Sequence, residues 1–250
     1  MAEPCAVDLI ALQRPQMTMK STLAKTLLTS QFGPFKMGHI MVQNLFPSFV
    51  YQSALASSAV AQKSSDKLNR ELLDEAYKIS KIDAAGHEWS EKNYPGGYTS
   101  YGSMGELHRF SSTFGELQKL IDSHVAQFVR HLELSIKPQA LRMQTCWVNI
   151  MPKSVVHTMH IHPLSVISGT YYVKIPKGAS GLKFEDPRMG FFMASPARKP
   201  NAKIENQRFV TLKPQAGQVV LFESWMRHEV PPNPVASERV SISFNYDWVP

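Results

Sequence analysis

A chain of 250 residues with 43% hydrophobic and 19% charged side chains holds enough apolar material to bury a core, and its 17 prolines are scattered instead of forming a tract. That profile excludes an intrinsically disordered protein, and the length suits an all-β barrel in one domain with an appended helical layer. The formal net charge of +7 is spread from Arg14 to Arg239 without a run of five like charges, which describes a solvated basic surface and disfavours nucleic acid as a partner. Two cysteines, Cys5 and Cys146, cannot build a disulfide framework or a thiolate metal site, and they point to a reducing compartment. No stretch approaches the ~18 apolar residues of a membrane span. The opening segment has Glu3 and Asp8 ahead of any basic cluster and no signal-like apolar core, so a cytoplasmic, non-membrane protein is expected. MTMKSTLAKTLLTS (17–30) is the one transit-peptide-like feature.

Residues 1–38 mix Pro, Gly, Ser and Thr without periodicity and read as a flexible leader, with a single domain following over 39–250. HIMVQNLFPSFVYQ then fits a strand interrupted at Pro47. From Ser65, the three- and four-residue spacing of Leu68, Leu72, Ala76, Ile79 and Ile82 predicts one face of a helix. EWSEKNYPGGYTSYGSM reads as a loop. Thr113 with Glu116 offers a capping box ahead of a second helix carrying Phe114, Leu117, Ile121, Val125, Phe128 and Leu132. Residues 39–143 thus form a strand and a helical layer. From 144 the texture becomes short β-rich runs separated by Pro and Gly: TCWVNIM, VVHTMHIH, VISGTYYVKI, GLKFED, FVTL, QVVLFES and RVSISFNYDW. That rhythm predicts an all-β barrel or sandwich as the core, 144–250.

Three of the nine histidines fall in HTMHIH (157–162). On an extended strand, residues i and i+2 share a face, so His160 and His162 project together while Ile161 and the oddly spaced His157 turn away. His228 in FESWMRHEVPP is the best third ligand from a distant strand. Such a triangle leaves the opposite side of a metal open, as a non-haem iron oxygenase requires. Eleven residues after His228 comes Arg239, in ERVSISFNYDW, where Arg239 and Ser241 share a face opposite Val240, Ile242 and Phe244. An arginine on an apolar strand is costly unless an anion meets it.

In this order, HIH, SGTYYVKIP, GLKFEDP, LKPQAGQVVLFESWMRHEV and ERVSISFNYDW resemble the catalytic barrel of the 2-oxoglutarate and Fe(II)-dependent oxygenases. The likeness is nearest to the prolyl-hydroxylase-like branch and to a group of uncharacterised bacterial members, and it covers roughly residues 144–248. NLFPSFVY and the GGYTS loop extend it upstream. The resemblance implies a double-stranded β-helix (jelly-roll, cupin-like) fold, mainly β with helices packed outside. It implies Fe(II), 2-oxoglutarate as co-substrate, and dioxygen. It places the family's metal pair on His160 and His162, its distal histidine on His228, and its co-substrate arginine and serine on Arg239 and Ser241. Tyr172 falls where related hydroxylases set a tyrosine against the distal carboxylate of 2-oxoglutarate.

The sequence departs from the family at one position: His162 stands where a carboxylate is usual. Three readings stay open, namely a three-histidine face, an acid such as Asp186 or Glu185 arriving from the next strands, and a catalytically silent barrel serving as a binding module. A cupin-type iron dioxygenase that binds substrate directly, without 2-oxoglutarate, is the enzymatic alternative. Asn149 reads equally as an inward residue hydrogen-bonding the co-substrate or a metal-bound water and as a polar residue at a ladder edge. Tyr94, Tyr98 and Tyr101, with Trp225, are read as a lid over the site or, for each tyrosine, as a hydrophobic anchor of its loop, while Trp147, Phe184 and Phe222 are read as packing. The expected reaction is hydroxylation of a C–H bond in a small molecule or a protein side chain, and exposed edge strands suit a homodimer.

Overall fold

Strand β10 (Arg239–Trp248) runs through the centre of the molecule, paired antiparallel along most of its length with β3 (Leu141–Met151) on one side and β5 (Ile167–Lys174) on the other. Its alternation sends Val240, Ile242 and Phe244 into one apolar cluster and leaves Arg239, Ser241, Ser243 and Asn245 on the opposite face. The computed structural model describes residues 42–56, 59–188, 190 and 193–249. The leader read over 1–38 lies outside them, and Phe46–Pro250 forms one unit.

Around β10 stands a six-stranded sheet in the order β1-β8-β5-β10-β3-β2, with β1 Val50–Ala54, β2 Tyr98–Thr99 and β8 Gln218–Glu223. A second, four-stranded sheet has the order β4-β9-β6-β7, formed by His157–His160, His228–Val230, Leu182–Glu185 and Phe209–Leu212. Every pairing between these strands is antiparallel. Tyr172, Val220 and Phe222 of the large sheet meet Leu182, Phe184 and Val230 of the small one. The two sheets form a jelly roll that stays a two-sheet sandwich without closing into one continuous barrel. Position 169 shows how tight the large sheet is: a Cβ on Gly169 would lie 2.5 Å from the Phe244 ring.

Helices cover the outer face of the large sheet. Helix α1 (Ala59–Ile82) buries Leu68, Leu72, Ala76 and Ile79 as its spacing predicts, but Ile82 is 76% exposed. It is the last residue of α1, and Asp83 caps a new helix there. That helix, α2 (Ala84–Asn93), runs into the segment whose sequence reads as loop, because it has no apolar stripe; buried Gly86 and Ser90 hold it instead. A short α3 (Leu107–Phe110) precedes α4 (Ser112–His131). The cap of α4 is Ser111, whose Oγ accepts from Phe114 N at 3.3 Å, so the box at Thr113 and Glu116 is not the one used. Phe114, Leu117, Ile121, Val125 and Phe128 then pack against the sheet, each burial stabilising by about 1.5–3 kcal/mol.

The glycine-rich stretch after α2 is not free. Tyr98 and Thr99 pair with Ile150 and Asn149, and Tyr98 donates to Asp83 Oδ2 at 2.8 Å. Asp83 also accepts from Ser103 Oγ at 2.5 Å and Gly86 N at 2.9 Å. This one buried carboxylate ties α1, α2 and β2 together, which explains why Tyr98 is 4% exposed and does not serve as a lid. Replacing Asp83 by Ala leaves those donors without a partner and is expected to lower unfolding free energy by about 2–4 kcal/mol, measured by urea denaturation.

Candidate active site

Between the sheets lies a cavity of about 350 Å³. His157, His160 and His228 reach it from the small sheet, and Asn149, Phe222, Arg239 and Ser241 from the large one. His160 and His228 stand directly opposite each other in the β4–β9 register. His162 lies two residues further, beyond the end of β4, where its backbone N donates to Ser224 O at 3.0 Å. Strand alternation alone therefore does not bring the pair together, because His162 lies past the end of the strand. Ile161, 43% exposed, also borders the cavity, so the expected turning away of this side chain is incomplete.

One potential ligand atom from each of His160, His162 and His228 lies within 4.8 Å of the others. Nε2 of His162 and Nε2 of His228 are 3.3 Å apart. Two cis ligands each ~2.1 Å from a metal stand ~3.0 Å apart, so the spacing is close to that of a coordinated pair. His160 Nδ1 lies 2.6 Å from Thr158 O and His228 Nδ1 lies 2.8 Å from Met226 O. With Nδ1–H donating to these carbonyls, each Nε2 keeps its lone pair for a metal. The donor set fits a divalent transition ion with open positions.

The acids that could have replaced His162 are engaged elsewhere. Glu185 is buried against Arg208 (3.5 Å) and Arg227 (3.3 Å), and Asp186 is paired with Arg188 at 2.8 Å. Neither lines the cavity, whose wall carries no carboxylate among the described residues.

On the large sheet, Ser241 sits in register with Asn149 on one side and Tyr172 on the other. Arg239 is 3% exposed, has no carboxylate partner among the described residues, and lies 5.1 Å from the Tyr172 ring centre. Its Nη1 lies 3.7 Å from Met151 Sδ, and its Nε has no hydrogen-bond partner among the described residues. Tyr172 Oη and Asn149 Oδ1 are likewise buried without one, although Asn149 Nδ2 donates to Ser243 Oγ at 3.0 Å. Two orphaned polar atoms beside a buried guanidinium whose own Nε lacks a partner constitute a site shaped for an anion with further hydrogen-bonding capacity.

The expected lid divides. Tyr101, half exposed, lines the cavity and packs edge-on against Trp147 (5.0 Å) and Trp89 (5.8 Å). Trp147 thus forms cavity wall, a role beyond the packing that its sequence position suggests. Tyr94 is 2% exposed in the core between the sheets, and Trp225, 47% exposed, does not line the cavity; neither belongs to a lid. Strand counting puts His157 on the far face, but a register irregularity between His157 and His160 turns its ring inward, 5.1 Å from His160 and 4.8 Å from Tyr94. No sequence signal marks that bulge. Ser243 and Asn245 are legible in the sequence, since they continue the alternation begun by Arg239 and Ser241.

The sequence of residues 145–245 matches the family model described as "Putative 2OG-Fe(II) oxygenase". The matched segment contains all three clustered histidines together with Asn149, Tyr172, Arg239 and Ser241. Residues 145–245 are similar to the 2-oxoglutarate–Fe(II) oxygenases. Among solved structures, the fold of the chain is similar to a Pseudomonas putida prolyl-4-hydroxylase, with a TM-score of 0.51 at 15% identity over 81% of this chain and 94% of that one. It is also similar to the epimerase SnoN, crystallised with Fe3+, alpha ketoglutarate and nogalamycin RO (0.52; 14%; 81% and 82%). HygX from Streptomyces hygroscopicus, with nickel, 2-oxoglutarate and hygromycin B, gives 0.52 at 13% over 80% and 83%. No curated protein sequence matches this one.

Burial is the main cause holding the clustered imidazoles neutral, with their mutual proximity adding to it: His162 is brought down to about 3 and His228 to about 4, from 6.5. His160 shifts the same way, also through burial. Between pH 6.5 and about 4 the unfolded protein therefore binds more protons than the folded one, and acid favours unfolding. The metal-free protein should lose stability as pH falls through that window and change little between about pH 7 and 8. Urea midpoints at about pH 7.5, 5.5 and 4.5 test this, and His162→Gln should flatten the dependence.

Proposed function

We propose that the three-histidine group holds Fe(II) through Nε2 of His160, His162 and His228, and that Arg239 receives the 5-carboxylate of 2-oxoglutarate. The observation that carries this reading is the buried, unpaired guanidinium facing the same cavity as three convergent imidazoles. When bound, Fe(II), 2-oxoglutarate and dioxygen supply the oxidation of a substrate C–H bond, with release of succinate and carbon dioxide. The protein's own residues bind and orient. Arg239 offers a fork of donors to a carboxylate, and Ser241 and Tyr172 add hydroxyls beside it. Thr158 O and Met226 O fix the rings of His160 and His228. Phe222 and Trp147 exclude water from the cavity wall.

Hydroxylation of a C–H bond, in a small molecule or on a residue of a protein substrate, is the outcome this arrangement suits best. The domain boundary at residue 39, a cytoplasmic location and a homodimer belong to the same proposal. An all-imidazole donor set also suits a cupin-type dioxygenase that binds its substrate directly, in which case Arg239 would hold a substrate carboxylate. Release of succinate separates the two.

Anaerobic addition of Fe(II) and 2-oxoglutarate should give a visible metal-to-ligand charge-transfer band, and admitting oxygen should yield succinate. Absence of both overturns the assignment. Arg239→Ala should weaken 2-oxoglutarate binding by about a hundredfold while iron content stays at the wild-type level; unchanged affinity would remove Arg239 from the co-substrate site.

A further inference from the structure

The charges in the cavity do not sum to zero. Resting on the assignment above, the loaded site holds a doubly charged iron cation, three neutral imidazoles, the Arg239 cation and a dicarboxylate, which leaves one positive charge over. A carboxylate in place of His162 would cancel it. Among the described residues nothing else does so: no Asp or Glu lines the cavity, and Glu185 and Asp186 are taken up by arginines outside it.

A surplus cation enclosed by the apolar and neutral side chains of this cavity interacts far more strongly with an anion than it would in water. Donors for such an anion are present. The ring of His157 has no hydrogen-bond partner among the described residues and stands between Tyr94 and His160 on the cavity wall. Trp89, Thr99 and Tyr101 face the same space.

We infer that the substrate of this oxygenase carries a single negative charge, seated in the cavity beside the three-histidine centre within reach of His157, and that His162 selects for it by withholding the usual carboxylate. A substrate whose entering group is cationic meets no acid and is rejected, and a neutral one gains nothing from the surplus.

The test uses the anaerobic complex of wild-type protein with Fe(II) and saturating 2-oxoglutarate, titrated with acetate and with acetamide, which are alike in size and differ in charge. Acetate should shift the charge-transfer band saturably and acetamide should not. In His162→Asp, acetate affinity should fall at least about tenfold while the 2-oxoglutarate band persists. Equal responses to acetate and acetamide, or undiminished acetate binding by His162→Asp, would overturn the inference. So would bleaching of the band, which means that acetate displaces the co-substrate. The wild-type comparison stands even where the variant fails to fold. If wild-type protein gives no band with Fe(II) and 2-oxoglutarate, it is the oxygenase assignment that fails, and direct calorimetry of acetate against acetamide on the Fe(II)-loaded protein then decides the charge question separately.

Discussion

The period-two alternation of β10 organises the whole molecule. Because β10 is flanked by strands on both sides, its two faces have no choice but to serve two environments. One receives α1 and α4 through Val240, Ile242 and Phe244. The other must carry polar side chains into a space enclosed by the second sheet, and Arg239, Ser241, Ser243 and Asn245 are there because successive residues of a strand face opposite ways. A slip of one residue would drive Arg239 into the helical interface and Val240 into the cavity. Fold and site are therefore specified by the same register.

That shared register is why so much is legible without coordinates. The runs from 144 onward are strands because β-branched and aromatic residues alternate between Pro and Gly breaks, and the Arg239–Ser241 pair follows from the same count. What the sequence hides lies where the count breaks. His157 faces inward because of a bulge, a backbone event with no residue signature. Helix α2 exists without an apolar stripe because Asp83 and a few buried small residues hold it. Tyr94 and Tyr98 resemble lid residues because glycine neighbours suggest mobility, yet burial and the Asp83 hydrogen bond fix them.

His162 shows how a local departure alters the chemistry of an otherwise familiar arrangement. Its Nε2 stands 3.3 Å from His228 Nε2, so under the proposed assignment an imidazole in place of the usual carboxylate keeps a ligand atom in reach and alters the charge. Arg239 and its orphaned neighbours are unaffected by that exchange. Under the proposed assignment, the residues that would hold the co-substrate lie on the large sheet and the histidines that would hold the metal come from the small sheet and the segment just past it.

The small sheet adds a mechanical side to this division. Strand β4 lies at the edge of its sheet and runs for only four residues, and His160 and His228 are themselves a cross-strand pair between it and β9. An ion gripped by both would act as a clasp across two backbones that share few ladder bonds, pinning an exposed edge that could otherwise fray or recruit another strand. Metal loading and the integrity of that edge would then rise and fall together, so that the centre contributes to the cohesion of the sandwich as well as to its chemistry.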